Sequence, residues 1–170
     1  MTRVADKYIA DLAAEVEGHR TRAEYAVAQA ALTFPRVYVP VIQSAGVTPD
    51  HFNHDDLRLI YCGADVCRNT DIYVRLRIII QALRTAGCWD MQTPPLPAGD
   101  VGPFWNENKL VDFATARGPS LVEVEAHASL LVDVNERLQA ARTHYFNAIY
   151  SLKGDPPVAK PTGRIRFVNR

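Results

Sequence analysis

Apolar residues recur at helical spacing almost throughout the chain. Val4, Tyr8, Leu12 and Val16 come every fourth residue, and Gly18 stands where a glycine would close a helix. Thr21-Arg-Ala-Glu24 then has the form of a capping box, so a second helix is expected from about Arg22, with Tyr25, Ala28, Ala31 and Leu32 on one face. It must end before Pro35, whose ring disfavours helical geometry in the residue before it. A third helix is expected from Arg36 to about Ala45, with Val37, Val41 and Ile42 inward, Pro40 in its first turn and Gly46 as terminator. Thr48-Pro-Asp-His-Phe52 reads as a cap, a proline at the first helical position and one turn that delivers Phe52 as an apolar plug, after which Asn53 is placed to cap the next helix. Leu57, Ile60, Tyr61, Ala64 and Cys67 mark that helix, and Ile72, Leu76, Ile79, Ile80 and Leu83 the following one, which ends at Gly87.

Residues 91–104, rich in proline and glycine, predict an irregular loop dividing the chain. A helix from about Asn106 to Ala116 follows, and Ser120-Leu-Val-Glu123 is a second capping box that opens a helix of about 32 residues, roughly 48 Å long. Along it Val124, His127, Leu131, Val134, Leu138, Ala141, Tyr145, Ala148 and Leu152 alternate in steps of three and four. Such a heptad seam needs a partner helix. Long helices bury their stripe within their own chain more often than not, so helix one or the 106–116 segment is the first choice and another subunit the second. No useful stretch shows strand alternation. The expectation is an all-α protein: an N-terminal helix over 1–20, a helical core over 21–90, the loop at 91–104, a helical hairpin over 105–153 and a tail over 154–170.

Composition changes this picture little: 48% hydrophobic and 22% charged residues are ordinary globular values. Nineteen basic residues balance nineteen acidic ones, so no global field draws the chain to nucleic acid, and such contact is expected to be indirect or weak. The exception is local. From Lys153 onward five basic residues face one acidic residue, a surplus of about four, and the body carries the matching deficit. The charged N-terminal segment reads as neither signal peptide nor membrane anchor, and three cysteines fit free thiols in a reducing, cytoplasmic setting with no membrane partner.

Candidate chemistry is sparse. His51, His54, Asp55 and Asp56 could in principle hold a metal, but acidic residues gather at helix N-termini for dipole reasons, and capping is the better reading. Cys62, Cys67 and Cys88 lack the spacing of a zinc site, and His127 reads as a polar residue setting the register of the seam. Arg75, Arg77 and Arg84 read as a solvated helix face. No phosphate-cradling, nucleophile-elbow or zinc-hydrolase motif occurs, so no catalytic residue, cofactor or metal is assigned, and the chain is expected to be a binding protein and not an enzyme.

Three stretches carry a family resemblance: Ala23-Glu-Tyr-Ala-Val-Ala-Gln-Ala-Ala-Leu32, then Val47-Thr-Pro-Asp-His-Phe52, then the two helices ending Gln81-Ala-Leu-Arg-Thr-Ala-Gly87. Together they are similar to the N-terminal domain of DnaB-type replicative helicases. Leu110-Val-Asp-Phe-Ala, the turn at Gly118 and the long helix resemble that domain's C-terminal helical hairpin. The resemblance covers about residues 22–150. It departs in the extra N-terminal helix and in the missing ATPase motor. It implies a stand-alone replication accessory that self-associates or docks on a replicative helicase or primase. The alternative is a structural assembly protein, such as a phage connector or scaffold part, built on the long helix. For either role the candidate contact residues are Leu131, Val134, Leu138 and Tyr145 on the seam and Arg164, Arg166 and Phe167 in the tail. In the tail, Pro156, Pro157 and Pro161 favour an extended backbone with alternating basic and apolar side chains.

Overall fold

A single helix, α1, runs from Thr2 to Thr33 where two were expected. Gly18 does not stop it: a mid-helix glycine costs only about 1 kcal/mol relative to alanine, and tertiary packing outweighs that. The Thr21–Glu24 box does not form either, because Glu24 is committed elsewhere. The computed structural model describes residues 2–90 and 105–153, so the expected loop at 91–104 and the tail at 154–170 lie outside the described residues. The 20/21 boundary between extra helix and core falls inside α1.

After α1 come α2 (Pro35–Ser44), a 3₁₀ turn (Pro49–His51), α3 (Asp55–Val66), α4 (Ile72–Thr85), α5 (Glu107–Thr115) and α6 (Leu121–Lys153). The fold is all-α, and the one β-type pairing among the described residues is an isolated bridge between Trp89 and Trp105. Several expected punctuation marks act as read. Phe34 breaks the chain before Pro35, and Phe52 is buried and stacks on Tyr61 with centroids 5.1 Å apart. Gly87 takes the left-handed φ of 73° that closes α4. The Ser120 amide donates to Glu123 Oε2 at 2.7 Å in the box that opens α6.

α2 differs in detail. It begins at Pro35, so Pro40 lies beyond the first turn and removes one helical hydrogen bond. Val39 and Ile42 point inward, whereas Val37 is 56% exposed.

α1 and α6 are antiparallel neighbours: Arg20 Nη2 donates to Asn135 Oδ1 at 3.1 Å, and Thr33 lies beside Gly118 at the other end. The pair forms the principal packing of the molecule, with α2 and α3 also laid on α1. The described part of the α6 seam therefore closes within the chain: Val124, Leu131, Val134 and Leu138 are all buried, and His127 is half-buried among them. α5 packs on α1, and the long helix has its principal partner in α1, the first of the two intrachain partners expected for the seam. α3 and α4 approach closely at Gly63, where a Cβ would sit 2.5 Å from Ile79 Cγ1, a spacing no side chain there could accept without movement.

Arg75 is a second correction. It is buried, not part of a solvated face, and its guanidinium donates to the Leu32 carbonyl at 3.0 Å and the Thr70 carbonyl at 2.9 Å. One side chain thus satisfies carbonyls left open at the end of α1 and in the α3–α4 turn.

With the seam turned inward, Leu131→Ala is expected to lower the unfolding free energy by about 2–5 kcal/mol. Leu131→Asp combined with Leu138→Asp should abolish the cooperative melt followed by far-ultraviolet circular dichroism. A double variant that kept its helicity and changed only its mass in light scattering would contradict an intrachain seam.

Candidate interaction surface

The polar residues that looked capable of chemistry scatter to separate structural tasks. The Thr48 amide donates to His51 Nδ1 at 2.9 Å. Asp55 pairs with Arg58 at 2.6 Å, and Asp56 accepts from the Trp105 indole at 2.6 Å. His54 Nδ1 donates to Glu24 Oε2 at 2.8 Å. Among the described residues no three of His, Cys, Asp and Glu are grouped so as to hold a metal ion. The thiols are no better placed for reaction: burial, reinforced by nearby acidic residues, pushes both Cys62 and Cys88 up and keeps them protonated.

Glu24 is the group that sequence reading missed. Fully buried on α1, it accepts from Arg20 Nε at 3.0 Å, from the Asn53 amide at 2.8 Å, and from the His54 amide at 3.0 Å besides the imidazole. It caps the N-terminus of α3 in place of Asn53, whose own side chain makes no cap. Arg20 continues the network to the His51 carbonyl at 3.2 Å and to Asn135, which itself donates to the same carbonyl at 3.0 Å. Burial alone would push the Glu24 carboxyl up. The donors from His54 and Asn53, with the charge of His54, outweigh it and hold the group below its ordinary 4.5. His54 is held above its ordinary 6.5, first by the hydrogen bond to Glu24. Partial burial opposes the rise, and the charges of Glu24, Asp56 and Glu17 add to it.

Of the expected contact residues, Leu131, Val134 and Leu138 are inside the protein and do not form a surface. The side chain of Tyr145 and the whole of Arg164, Arg166 and Phe167 lie outside the described residues. The apolar surface lies elsewhere. On α4, Tyr73 is 78% exposed with Val74 and Ile78 beside it, and Arg77 and Arg84 are exposed on the same helix. Just beyond the C-terminal end of α1, Phe34 packs edge-on to Tyr38, whose hydroxyl donates to the Pro119 carbonyl at 3.2 Å. This brings Phe34 and Val37 towards Leu121 and the 73% exposed Val122. From there a groove of about 480 Å³ continues between α2 and α6, lined by Pro40, Val41, Ser44, Ala45, Glu125 and Ser129. The exposed apolar residues of α4 were visible in the sequence only as members of a helical stripe, and the groove depends on a helix pairing that no local pattern specifies.

No protein-family model, curated protein or solved structure matches this chain.

The buried pair carries a pH signature. Glu24, with its depressed pKa, contributes stability that is present above about 4.5 and lost as pH falls through its lower folded value. His54, with its raised pKa, contributes stability that is full below about 6.5 and lost as pH rises through its higher folded value. Urea unfolding should thus show this contribution largest between those two values, and His54→Gln should flatten the alkaline limb. Glu24→Gln should cost about 3–5 kcal/mol, because it leaves Arg20 buried without its counter-charge. An unchanged unfolding midpoint in Glu24→Gln would remove the network from its structural role.

Proposed function

We propose that this chain is a non-enzymatic accessory of DNA replication, acting in the cytoplasm, that docks on a replicative helicase or a primase through exposed faces of its helices, or associates with itself. The observation that carries the reading is the outer face of α4. Tyr73, Val74 and Ile78 are exposed there on a helix whose main packing is against α3, with Arg77 and Arg84 adding charge. An aromatic and two branched aliphatic side chains beside arginines have the composition of a contact core, since apolar and aromatic residues with arginine are what protein interfaces favour. Firm packing beneath, with Ile79 and Leu83 fully buried on the inner side of the same helix, holds that face in one conformation and lowers the ordering cost of binding.

The order of elements supports a likeness to the DnaB N-terminal domain. A helix ends in an alanine- and leucine-rich segment, the Pro49–His51 turn delivers a buried Phe52, two packed helices close at Gly87, and a long helix follows. Such a domain offers surfaces to partners and has no motor of its own. The other reading, an assembly component built on the long helix, draws less support, because the described part of the α6 seam is already buried within the chain.

Purified chain titrated with a DnaB-type helicase, and separately with a primase, tests the reading. Binding at about micromolar affinity or tighter is expected to one of them. Tyr73→Asp with Ile78→Asp should weaken it by about tenfold to a hundredfold, while the melting temperature stays near that of the parent because both positions are exposed. Failure of both partners to bind, or equal binding by the variant, counts against the proposal.

A further inference from the structure

The groove between α2 and α6 is an apolar floor with an acidic side. Pro40, Val41 and Ala45 supply the floor, and Ser44, Ser129 and Glu125 the polar lining. From Leu121 to Glu136 α6 carries Glu123, Glu125, Asp133 and Glu136 with no lysine or arginine, and α2 carries only Arg36. The two helices run parallel here, as Tyr38 to Pro119 at one end and Gly46 to Val132 at the other show. The lining residues of α2 span about 8 Å of helix axis, room for roughly three or four residues of extended chain. One part of this chain has the complementary chemistry: Arg164-Ile-Arg-Phe167, which alternates basic and apolar side chains within the basic stretch that begins at Lys153.

We propose that the α2–α6 groove is the docking site for the 164–167 segment of a second copy of the chain, so that the basic tail of one protomer links it to the acidic side of the next. Chain length favours the neighbour over the chain's own groove. Ser129 and Glu125 lie about 36 and 42 Å along α6 from Lys153, and the eleven residues from Lys153 to Arg164 span about 36–40 Å only at full stretch, with no slack for the reversal. To seat 164–167 in its own groove the tail would have to run straight back along α6 at full stretch. A second copy meets no such limit. The contact is head-to-tail, with different patches used on the two protomers, and it leaves the α4 face free. The proposal needs this chain alone and stands apart from the helicase or primase reading.

A charge exchange in the full chain tests it. One variant carries Glu125→Lys and Ser129→Lys, both at exposed positions in the groove. The other carries Arg164→Glu and Arg166→Glu. Light scattering of the parent chain should show concentration-dependent association that weakens about tenfold or more as salt rises from about 50 to 300 mM. Each variant alone should associate at least tenfold more weakly, with an unchanged circular dichroism melt, and an equimolar mixture should recover association because the reversed tail now meets a reversed groove. A parent chain that is monomeric at high concentration overturns the proposal, as does a variant that associates like the parent or a mixture no stronger than its components.

Discussion

A carboxylate in the interior, far from water, has to be matched on every side or it is expelled, and Glu24 is matched by four donors from two directions. Arg20 answers it from one turn earlier on α1, and the start of α3 answers it with two amides and an imidazole. Since Arg20 and Asn135 share the His51 carbonyl, the same cluster also reaches α6. Three elements that are remote in sequence are therefore set in one register by a single charge. Apolar packing would hold them together without it, but would tolerate sliding, whereas the directional bonds allow one arrangement. The exposed faces that the proposed roles depend on take their positions from this arrangement.

Local signals in the sequence were readable where the interaction is itself local. The Ser120–Glu123 box, the Pro49 turn with Phe52, and the glycine that closes α4 each depend on groups within a few residues, and each forms as its pattern implies. Gly18 and Thr21–Glu24 carried equally good local signals, yet the helix runs through them. Beyond Arg20, the partners of Glu24 lie 29 and 30 residues away, and a long-range bond of that kind leaves no mark in the spacing of nearby residues. Arg75, expected on a solvated face, is likewise drawn inward by a distant partner. Its guanidinium joins the Thr70 carbonyl of the preceding turn to the Leu32 carbonyl of another helix, and only the fold brings the two together.

The heptad seam shows how far periodicity goes. Its spacing correctly marks which side of α6 is buried, because burial repeats with the helix itself. It carries no information on which helix does the covering. The seam's length admits a partner helix in the same chain or in another protein, and α1, equally long and unbroken, is the internal helix on which its described part packs. The surfaces left over, on α4 and along α2 and α6, were hidden for a simpler reason: an exposed valine and a buried one look alike until the fold assigns them sides.

The antiparallel pairing of α1 with α6 also bears on how the molecule is made. The described apolar face of the first helix, from Ala23 to Leu32, is completed by the last, so at about 5–20 residues per second roughly 6–24 s pass before the covering helix exists. During that interval α1 has α2, α3 and α5 to lean on, and the Glu24 network lacks only its link through Asn135 to α6. Closure between distant parts of a chain is entropically slow. Vectorial synthesis therefore leaves this protein a late, all-or-none docking step, and exposes it until then to capture by chaperones or by other nascent chains.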